Sequence, residues 1–316
     1  MTRTAAWVWG GAALVLIGVG SCNASSLSRP PAPVATRSAA PAPHPAPPQG
    51  PADFVLTGEF TQGGWARGQA PAGTEALSLD GAPVALAADG TFFIAFDRDS
   101  AAASSLVART SLGREVSLAL AITPRAWNIE HIGLGPKPGT PPDPLFLRRR
   151  EGELAQINAA RALDTRSQGW RQRFIWPAQG RISGRFGAQR IYPAGPANYH
   201  SGLDIATGTS GTPFVAPADG VVILAASSPF SLEGNLLMID HGMGLNSAFL
   251  HCSSLNVKLG DVVRQGQVIG KIGMTGRATG PHLHWSLKWG KAKLDPLLFT
   301  GPMPVRSASS SAPVTP

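Results

Sequence analysis

The chain has little cysteine and only one long hydrophobic run. Cys22 and Cys252 are the only cysteines among 316 residues, so at most one disulfide can form. The single apolar run, AAWVWGGAALVLIGVG, is shorter than the ~20 residues that a membrane span needs. Its position between Arg3 and small polar residues is typical of a secretory signal, with a plain membrane anchor as the alternative. An exported chain without disulfides must be stabilised by its hydrophobic cores or by a metal.

Residues 19–22, VGSC, resemble the bacterial lipobox, in which the cysteine becomes the lipidated first residue of the mature protein. Val19 departs from the leucine that is usual at the first position. The following Asn23-Ala24 is also compatible with an ordinary signal peptidase. We favour lipidation of Cys22, so that either a lipid anchor or the signal segment contacts the membrane. The predicted location is the cell envelope or periplasm.

Acidic residues are scarce between residues 145 and 190, where ten arginines face only three acidic side chains. Basic segments often bind nucleic acid. In an exported protein, however, an anionic cell wall or membrane surface is the better partner, and we predict no nucleic-acid partner. The alternative is a solvated helix face that only keeps the chain soluble.

The sequence changes character several times and predicts a mainly β protein. A Pro/Ala/Ser-rich stretch cannot form a core and predicts a disordered tether. Short β-type runs separated by Asp80-Gly81 and Asp89-Gly90 turns then predict a small β-sandwich that serves as a binding or spacer module. Asp143-Pro144 suits the start of a basic helix that carries Leu147, Leu154 and Ile157 at helical spacing. The predicted segments are a signal and lipobox segment (1–22), the tether (23–52), the sandwich (53–128), a linker with the basic helix (129–173), a second β domain (174–300) and a disordered tail (301–316).

The run HLHWSLKW alternates strictly between polar and apolar residues. His282, His284, Ser286 and Lys288 therefore share one face of a strand, while the leucines and tryptophans share the buried face. Both imidazoles then point to a solvent-reached groove. Two histidines on one strand face can approach one metal site, although zinc needs further ligands. The alternative is a pair of ordinary core histidines.

Further candidate ligands lie upstream of this strand. His200 and Asp204 stand four residues apart in a loop-like stretch, HSGLD. His251 ends the run LNSAFLH and, counted with period two, shares a face with Ser247 and Phe249. The same count turns Cys252 to the other face, as a buried free thiol. His241 lies in a turn-like DHGMG and is interpreted as structural.

These motifs resemble a known family. HSGLD, LNSAFLH and TGRATGPHLHW, with phrases such as VKLGDVVRQGQVIGKIGMTG, are similar to the lysostaphin-type, LytM-like zinc endopeptidases of cell-wall metabolism. The resemblance covers residues 174–299. It implies an antiparallel β domain with a duplicated hybrid motif, whose groove holds one zinc ion and binds an extended peptide. The implied function is hydrolysis of peptide cross-links in bacterial peptidoglycan by metal-activated water.

The resemblance also assigns roles by position. It implies His200, Asp204 and His284 as zinc ligands, with water in the remaining coordination position. It implies His251 and His282 as the catalytic pair that orients or deprotonates the water and stabilises the oxyanion. Many members carry an acidic residue at the position of Ser286, so a contact that tunes the site is expected to differ.

Two other functions fit parts of the sequence. A non-catalytic LytM-like protein would bind wall or activate other hydrolases, but all five positions above are filled here. Biotinyl and lipoyl carriers share phrases such as APADGVV, yet Lys258 and Lys271 lack the exposed-hairpin context of a carrier lysine. A carrier would also leave the histidines unexplained.

Overall fold

The computed structural model describes residues 49–133, 143–192, 195–196, 198–226 and 228–304. These residues belong to one compact unit, and their fold is mainly β, which confirms the predicted class. The predicted signal and lipobox segment, most of the tether and most of the tail lie outside the described residues. Among the helices that are described, none is both long enough and apolar enough to cross a membrane.

The first module, residues 55–121, consists of two antiparallel sheets. One sheet has the strand order β1-β2-β5 and the other β4-β3-β6-β7. Side chains of both sheets, such as Ile94 and Leu106, form one buried hydrophobic cluster. Asp80 and Gly81 have φ values of 50° and 80°, the left-handed conformation that a two-residue hairpin turn requires. The strands are β1 (Val55–Glu59), β2 (Trp65–Gln69), β3 (Thr74–Leu79), β4 (Ala82–Pro83), β5 (Thr91–Ala95), β6 (Ala103–Thr110) and β7 (Glu115–Ala121).

Strand β5 is buried on both faces. Phe92 and Ile94 point into the core of the first module. Phe93 and Ala95, which alternate with them, belong instead to the core of the second module. The ring centroid of Phe93 lies 6.3 Å from that of Trp289 and 6.4 Å from that of Phe299. The two modules therefore share a continuous hydrophobic interior rather than a thin polar contact.

The connecting segment forms strand β8 (Ile129–His131) and helix α1 (Pro144–Arg161). Asp143 caps the helix, as predicted, by accepting a hydrogen bond from the Leu145 N–H. The buried face differs from the apolar spacing in the sequence, because Leu147 and Leu154 are 50% and 42% exposed. The residues that the helix buries are Glu153, Ile157 and Ala160.

The second module begins with a 3₁₀ turn (Gly169–Arg171) and is built on one large antiparallel sheet. The sheet has the order β18-β14-β15-β16-β20-β12-β9, with β21 paired to β20. Smaller sheets have the orders β13-β19-β17 and β11-β10-β8. The elements are β9 (Arg181–Gly184), β10 (Gln189–Tyr192), β11 (Gly195–Pro196), β12 (Leu203–Ala206), β13 (Pro213–Val215), β14 (Gly220–Ala225), β15 (Asn235–Gly242), β16 (Leu245–Cys252), β17 (Ser254–Leu255), β18 (Val262–Val263), β19 (Val268–Lys271), β20 (Leu283–Trp289), β21 (Ala292–Leu294) and α2 (Leu297–Thr300).

Helix α1 packs on the face of the large sheet that is turned away from the main core. Ile157 and Ala160 of the helix form a buried cluster with Met238 of β15 and Ala248 of β16. Ala248 pairs with Ser286 of β20, so Ser286 lies on the part of the face that the helix approaches. His284 of β20, and His282 just before that strand, lie further along the same face, where a groove opens.

The shared core predicts how the protein unfolds. Phe93→Ala should lower the free energy of unfolding by about 3–5 kcal/mol, because it removes a buried ring between the modules. Leu112→Ala, on the same module but 80% exposed, should change it by less than about 0.5 kcal/mol. Urea unfolding, followed by tryptophan fluorescence and far-UV circular dichroism, measures both variants. Two separate transitions for the unmodified chain would contradict a continuous interior.

Candidate metal centre

Two neighbouring strands bring Asp204 and His284 together. Strands β12 and β20 are antiparallel, and Asp204 lies directly opposite His284 in their register. Leu203, Leu283 and Trp285 are fully buried on the other face. The structure thus shows the alternation predicted for HLHWSLKW. It corrects one expectation, because Asp204 lies in a strand and not in a loop-like stretch.

His200 reaches the same place from the segment that precedes β12. Its backbone N–H donates to the Ala188 carbonyl at 2.7 Å, and its own carbonyl accepts from the Gly187 N–H at 2.8 Å. These two bonds attach His200 to the chain that leads into β10. The ring therefore has a fixed position although it lies outside a strand.

One atom from each of His200, Asp204 and His284, each able to bind a metal, forms a corner of a nearly equilateral triangle. The distances are 3.1 Å from His200 Nε2 to Asp204 Oδ1, 3.1 Å from His200 Nε2 to His284 Nδ1, and 2.9 Å from His284 Nδ1 to Asp204 Oδ1. A tetrahedral zinc ion with bonds of about 2.0–2.1 Å separates its ligands by about 3.3–3.4 Å. Within the part of the chain that the structure describes, this is the one cluster of three such side chains placed to hold a metal.

Hydrogen bonding at His200 shows that the triangle fits a cation. Its Nδ1 lies 3.0 Å from the Arg185 carbonyl, which can only accept, so Nδ1 carries the proton. In the neutral ring, Nε2 then presents a lone pair to the carboxylate of Asp204. Two acceptors at this distance repel unless a cation or an extra proton lies between them. A metal ion satisfies both.

The contacts within the triangle also shift the pKa values of its members. Burial alone would raise the pKa of Asp204, but contacts with His200 and His284 outweigh burial and hold the pKa well below its usual range. Burial opposes protonation of His200, yet its contact with Asp204 raises the pKa of the ring. Burial lowers the pKa of His284. The carboxylate is thus ionised, as a metal ligand must be.

Glycines leave room beside the triangle. A Cβ atom at Gly184 would lie 2.3 Å from Asp204 Oδ2, and one at Gly202 would lie 2.6 Å from His284 Nε2. Real Cβ atoms do not approach other atoms so closely. The side chains of Asp204 and His284 therefore occupy space that any other residue at positions 184 and 202 would fill.

The period-two count at the end of β16 was wrong. Phe249 pairs with Trp285 in the core and Leu250 pairs with His284, so strict alternation would turn His251 inwards. A β-bulge shifts the register between β15 and β16 at this point, and His251 has a φ of +65°. The bulge turns His251 away from the face of Phe249 and towards the groove, and it places Cys252 in the core. The prediction that Cys252 is a buried free thiol is therefore confirmed, although the face assigned to His251 with Phe249 was wrong.

The bulge brings His251 beside His282. Their ring centroids are 4.8 Å apart, and the ring of His251 lies 6.2 Å from that of His284. Each ring uses its Nδ1 on a backbone carbonyl at 2.8 Å, Thr275 for His251 and Gly280 for His282. Burial lowers the pKa of His251 to about 4, so this ring is neutral at pH 7. Among the described residues, the His251 Nε2 has no hydrogen-bond partner, and the His282 Nε2 lies 3.8 Å from Asp204 Oδ1.

The remaining histidine of this region, His241, is structural, as predicted. It is fully buried, and its two ring nitrogens contact the Asp219 carbonyl at 2.8 Å and the Ser247 hydroxyl at 2.7 Å. Burial lowers its pKa to about 4. His241 therefore makes no contribution to the triangle.

A groove of about 1020 Å³ contains the triangle and the second histidine pair. The sequence did not indicate several residues that line it: Arg125, Trp127, Glu130, Tyr199, Glu233 and Arg277. Glu130 reaches the groove because β8 pairs in parallel with β10, and Arg125 and Trp127 lie on the segment that leads into β8. A three-residue strand carries no periodic signal, so only the fold could show this wall.

Comparisons with known proteins agree with the geometry. Residues 198–296 match the model of peptidase family M23. A crystal structure from Pseudomonas aeruginosa described as a peptidase M23 is 30% identical, with a TM-score of 0.58, over 77% of this chain and 95% of that one. The chain belongs to peptidase family M23. The resemblance inferred from the sequence is therefore confirmed.

The names of two curated relatives of this M23 chain refer to peptidoglycan and to cell division. The peptidoglycan DD-endopeptidase ShyA of Vibrio cholerae is 40% identical over 117 residues, which are 37% of this chain and 26% of ShyA. The cell division protein DipM of Caulobacter vibrioides is 35% identical over 132 residues, 40% of this chain and 20% of DipM. The matches span about a quarter or less of these relatives.

The core position of Cys252 gives a direct test of the bulge. Its side chain is fully buried, and burial raises the pKa of the thiol to about 12. In a Cys22→Ala background, the folded protein should not react with a thiol reagent at pH 8 within minutes, whereas unfolded protein should react at once. Rapid labelling of the folded chain would place Cys252 on the groove side and contradict the bulge.

Proposed function

We propose that this M23 chain is a zinc endopeptidase that hydrolyses peptide cross-links in bacterial peptidoglycan. The observation that carries the proposal is the triangle of His200, Asp204 and His284, with edges of 2.9–3.1 Å, in a groove that also holds a second pair of histidines. One bound zinc would supply Lewis acidity and a water molecule of lowered pKa.

The chain's own residues have separable roles in this reaction. His200, Asp204 and His284 hold the metal. His251 is neutral and has a free Nε2, so it can accept the proton that the attacking water loses. His282, whose Nε2 lies 3.8 Å from Asp204 Oδ1, would stabilise the developing oxyanion. Carbonyl contacts at Nδ1 fix the orientation of both rings.

The backbone around His251 is held for this role. The His251 N–H donates to the Glu233 carbonyl at 2.8 Å. The Glu233 carboxylate forms a two-pronged ion pair with Arg150 of α1, at 2.6 and 2.7 Å. A non-glycine residue with positive φ is strained and persists only where its surroundings fix it. Helix α1 thus helps to hold the loop on which the general base depends.

Charge in the groove favours one class of cross-link. Arg185 and Arg277 line the groove and are exposed. Neither side chain forms an ion pair with any described residue. Free guanidinium groups bind carboxylates in a forked geometry. Stem peptides joined by D-amino-acid cross-links carry free carboxylates, whereas a glycine bridge is uncharged. We therefore propose the D-amino-acid cross-link, in agreement with the names of the DD-endopeptidase relatives.

The proposed site of action is the cell envelope. The relatives' substrate, the signal-like segment and the lipobox at Cys22 support export, with peptidoglycan as the main partner and the membrane as a second one. The arginine-rich region supports attraction to anionic surfaces. Part of that charge serves the fold, because Arg149 and Arg150 pair with Glu153.

Substitution of single histidines tests which of them bind the metal and which take part in catalysis. His284→Ala should abolish zinc binding and hydrolysis of purified peptidoglycan, because it removes one of three ligands. His282→Ala should keep the zinc and lower turnover by about 10²–10⁴-fold, the range for lost acid–base help. His131→Ala, an exposed histidine on β8, is the matched control and should change neither property. Zinc content and fragment release by mass spectrometry measure the outcome.

Two results would revise the proposal. If His282→Ala lost the metal while His284→Ala kept it, the ligand and catalytic assignments would be exchanged. If the unmodified chain bound zinc but released no peptide fragments, the non-catalytic LytM-like alternative would hold.

Substrate charge provides the fourth prediction. Arg277→Gln should raise KM about tenfold for a cross-linked peptide with free carboxylates, because a hydrogen bond to a charged group is lost, and should leave kcat within about twofold. For the same peptide with amidated carboxylates, KM should be unchanged. Arg148→Gln, an exposed arginine of α1 outside the groove, is the control. Equal KM values for both peptides in the unmodified enzyme would refute carboxylate recognition.

A further inference from the structure

We infer that Arg98, in the first module, is a positioning residue for the metal ligand His200. The inference rests on the proposed zinc site. It gives the first module a role in the chemistry, although this module lies wholly outside the residues that match the M23 family model. Arg98 follows strand β5, more than 100 residues before His200 in the sequence.

Arg98 is buried between the two modules. Its side chain is only 6% exposed. Nε and Nη2 donate to the Gly187 carbonyl at 3.2 and 3.1 Å, and Nη2 also donates to Gln189 Oε1 at 3.1 Å. Nη1 pairs with Asp99 of its own module at 2.8 Å. All three guanidinium nitrogens therefore have partners, and two of these partners belong to the segment that holds His200.

Aromatic rings enclose the same guanidinium group. Its central carbon lies 5.2 Å from the ring centre of Trp127 and 4.6 Å from that of Tyr199, the residue before His200. Burying a charge is costly unless hydrogen bonds and favourable contacts compensate it. A planar guanidinium can stack on rings and donate in its own plane at once, whereas an ammonium cannot. The pocket is thus built for arginine.

The contact at Gly187 leads directly to the ligand. The Gly187 N–H donates to the His200 carbonyl at 2.8 Å, and the neighbouring Ala188 carbonyl accepts the His200 N–H at 2.7 Å. The Arg185 carbonyl contacts His200 Nδ1 at 3.0 Å. Residues 185–188 thus hold the backbone and the ring of His200, and Arg98 holds residue 187.

Trp127 fixes the same residue from another direction. Gly187 has a φ of +83°, and a Cβ atom there would lie 2.1 Å from Trp127 Cε3. The indole therefore packs against the bare Cα of Gly187, while Arg98 binds its carbonyl. With Arg98 removed, Gly187 loses two hydrogen bonds and His200 loses its fixed support.

The test uses the full chain with Arg98→Met, which keeps the stem but removes the donors, and Arg98→Lys, which keeps the charge without the planar fork. Both variants should raise the zinc dissociation constant about tenfold or more, the usual effect of losing a group that orients a metal ligand. A competing chelator measures this constant. In the metal-free protein, hydrogen exchange of the Gly187 and His200 amides should speed up.

Leu106→Ala is the matched control, with Leu106→Val as its milder form. Leu106 is buried in the core of the first module and belongs to no cluster with residues 185–200. Substitution of Leu106 should lower the melting temperature. The zinc affinity and the hydrogen exchange of the Gly187 and His200 amides should stay at the level of the unmodified chain. This pattern would separate positioning from general destabilisation of the module.

Three results would overturn the inference: unchanged zinc affinity in folded Arg98→Met, unchanged amide exchange, or an equal loss of affinity in the Leu106 variant. Absence of zinc binding by the unmodified chain would instead refute the proposed function. In that case the amide exchange, which needs no metal, would still decide whether Arg98 holds the His200 segment.

Discussion

Asp204 and His284 stand opposite each other on adjacent antiparallel strands, and the rest of the site is arranged around this cross-strand pair. The sheet fixes the separation of their backbones, while the fully buried Leu203 and Trp285 beside them prevent a shift in register. A shift by one residue would exchange the core face for the groove face. The hydrophobic core therefore maintains the geometry of this pair, because a shift of either strand would expose buried side chains and cost free energy.

The third proposed ligand, His200, and the proposed catalytic histidines, His251 and His282, depend on more than the large sheet. His200 is held by a segment that packs on the first module, and His251 depends on a bulge and on a loop tied to helix α1. The first module and helix α1 thus both support residues that line the same groove. Residues far from the family-matched segment take part in this support, which short sequence motifs do not reveal.

The sequence predicted what local patterns encode. The alternation in HLHWSLKW, the Asp80-Gly81 turn and the Asp143 cap all follow from backbone geometry within a few residues, and all appear in the structure. The bulge at His251 escaped prediction because one inserted residue changes the face without changing the composition. Burial of Glu153 escaped as well, since its partners Arg150 and Ser231 make a charged position compatible with the interior.

The two-sided burial of strand β5 is a further feature that the local sequence pattern did not predict. The sequence FFIAF is a continuous apolar run. Such a run does not indicate whether its side chains pack into one hydrophobic core or into two. In the structure, Phe93 and Ala95 belong to the core of the second module, where the Phe93 ring packs near Phe299 and Trp289. In an isolated fragment of residues 174–300, the surfaces of Phe299 and Trp289 that Phe93 contacts would be exposed to water as a hydrophobic patch. Such a fragment is expected to self-associate at the concentrations used for assays, so recombinant forms of this peptidase are best begun ahead of β1.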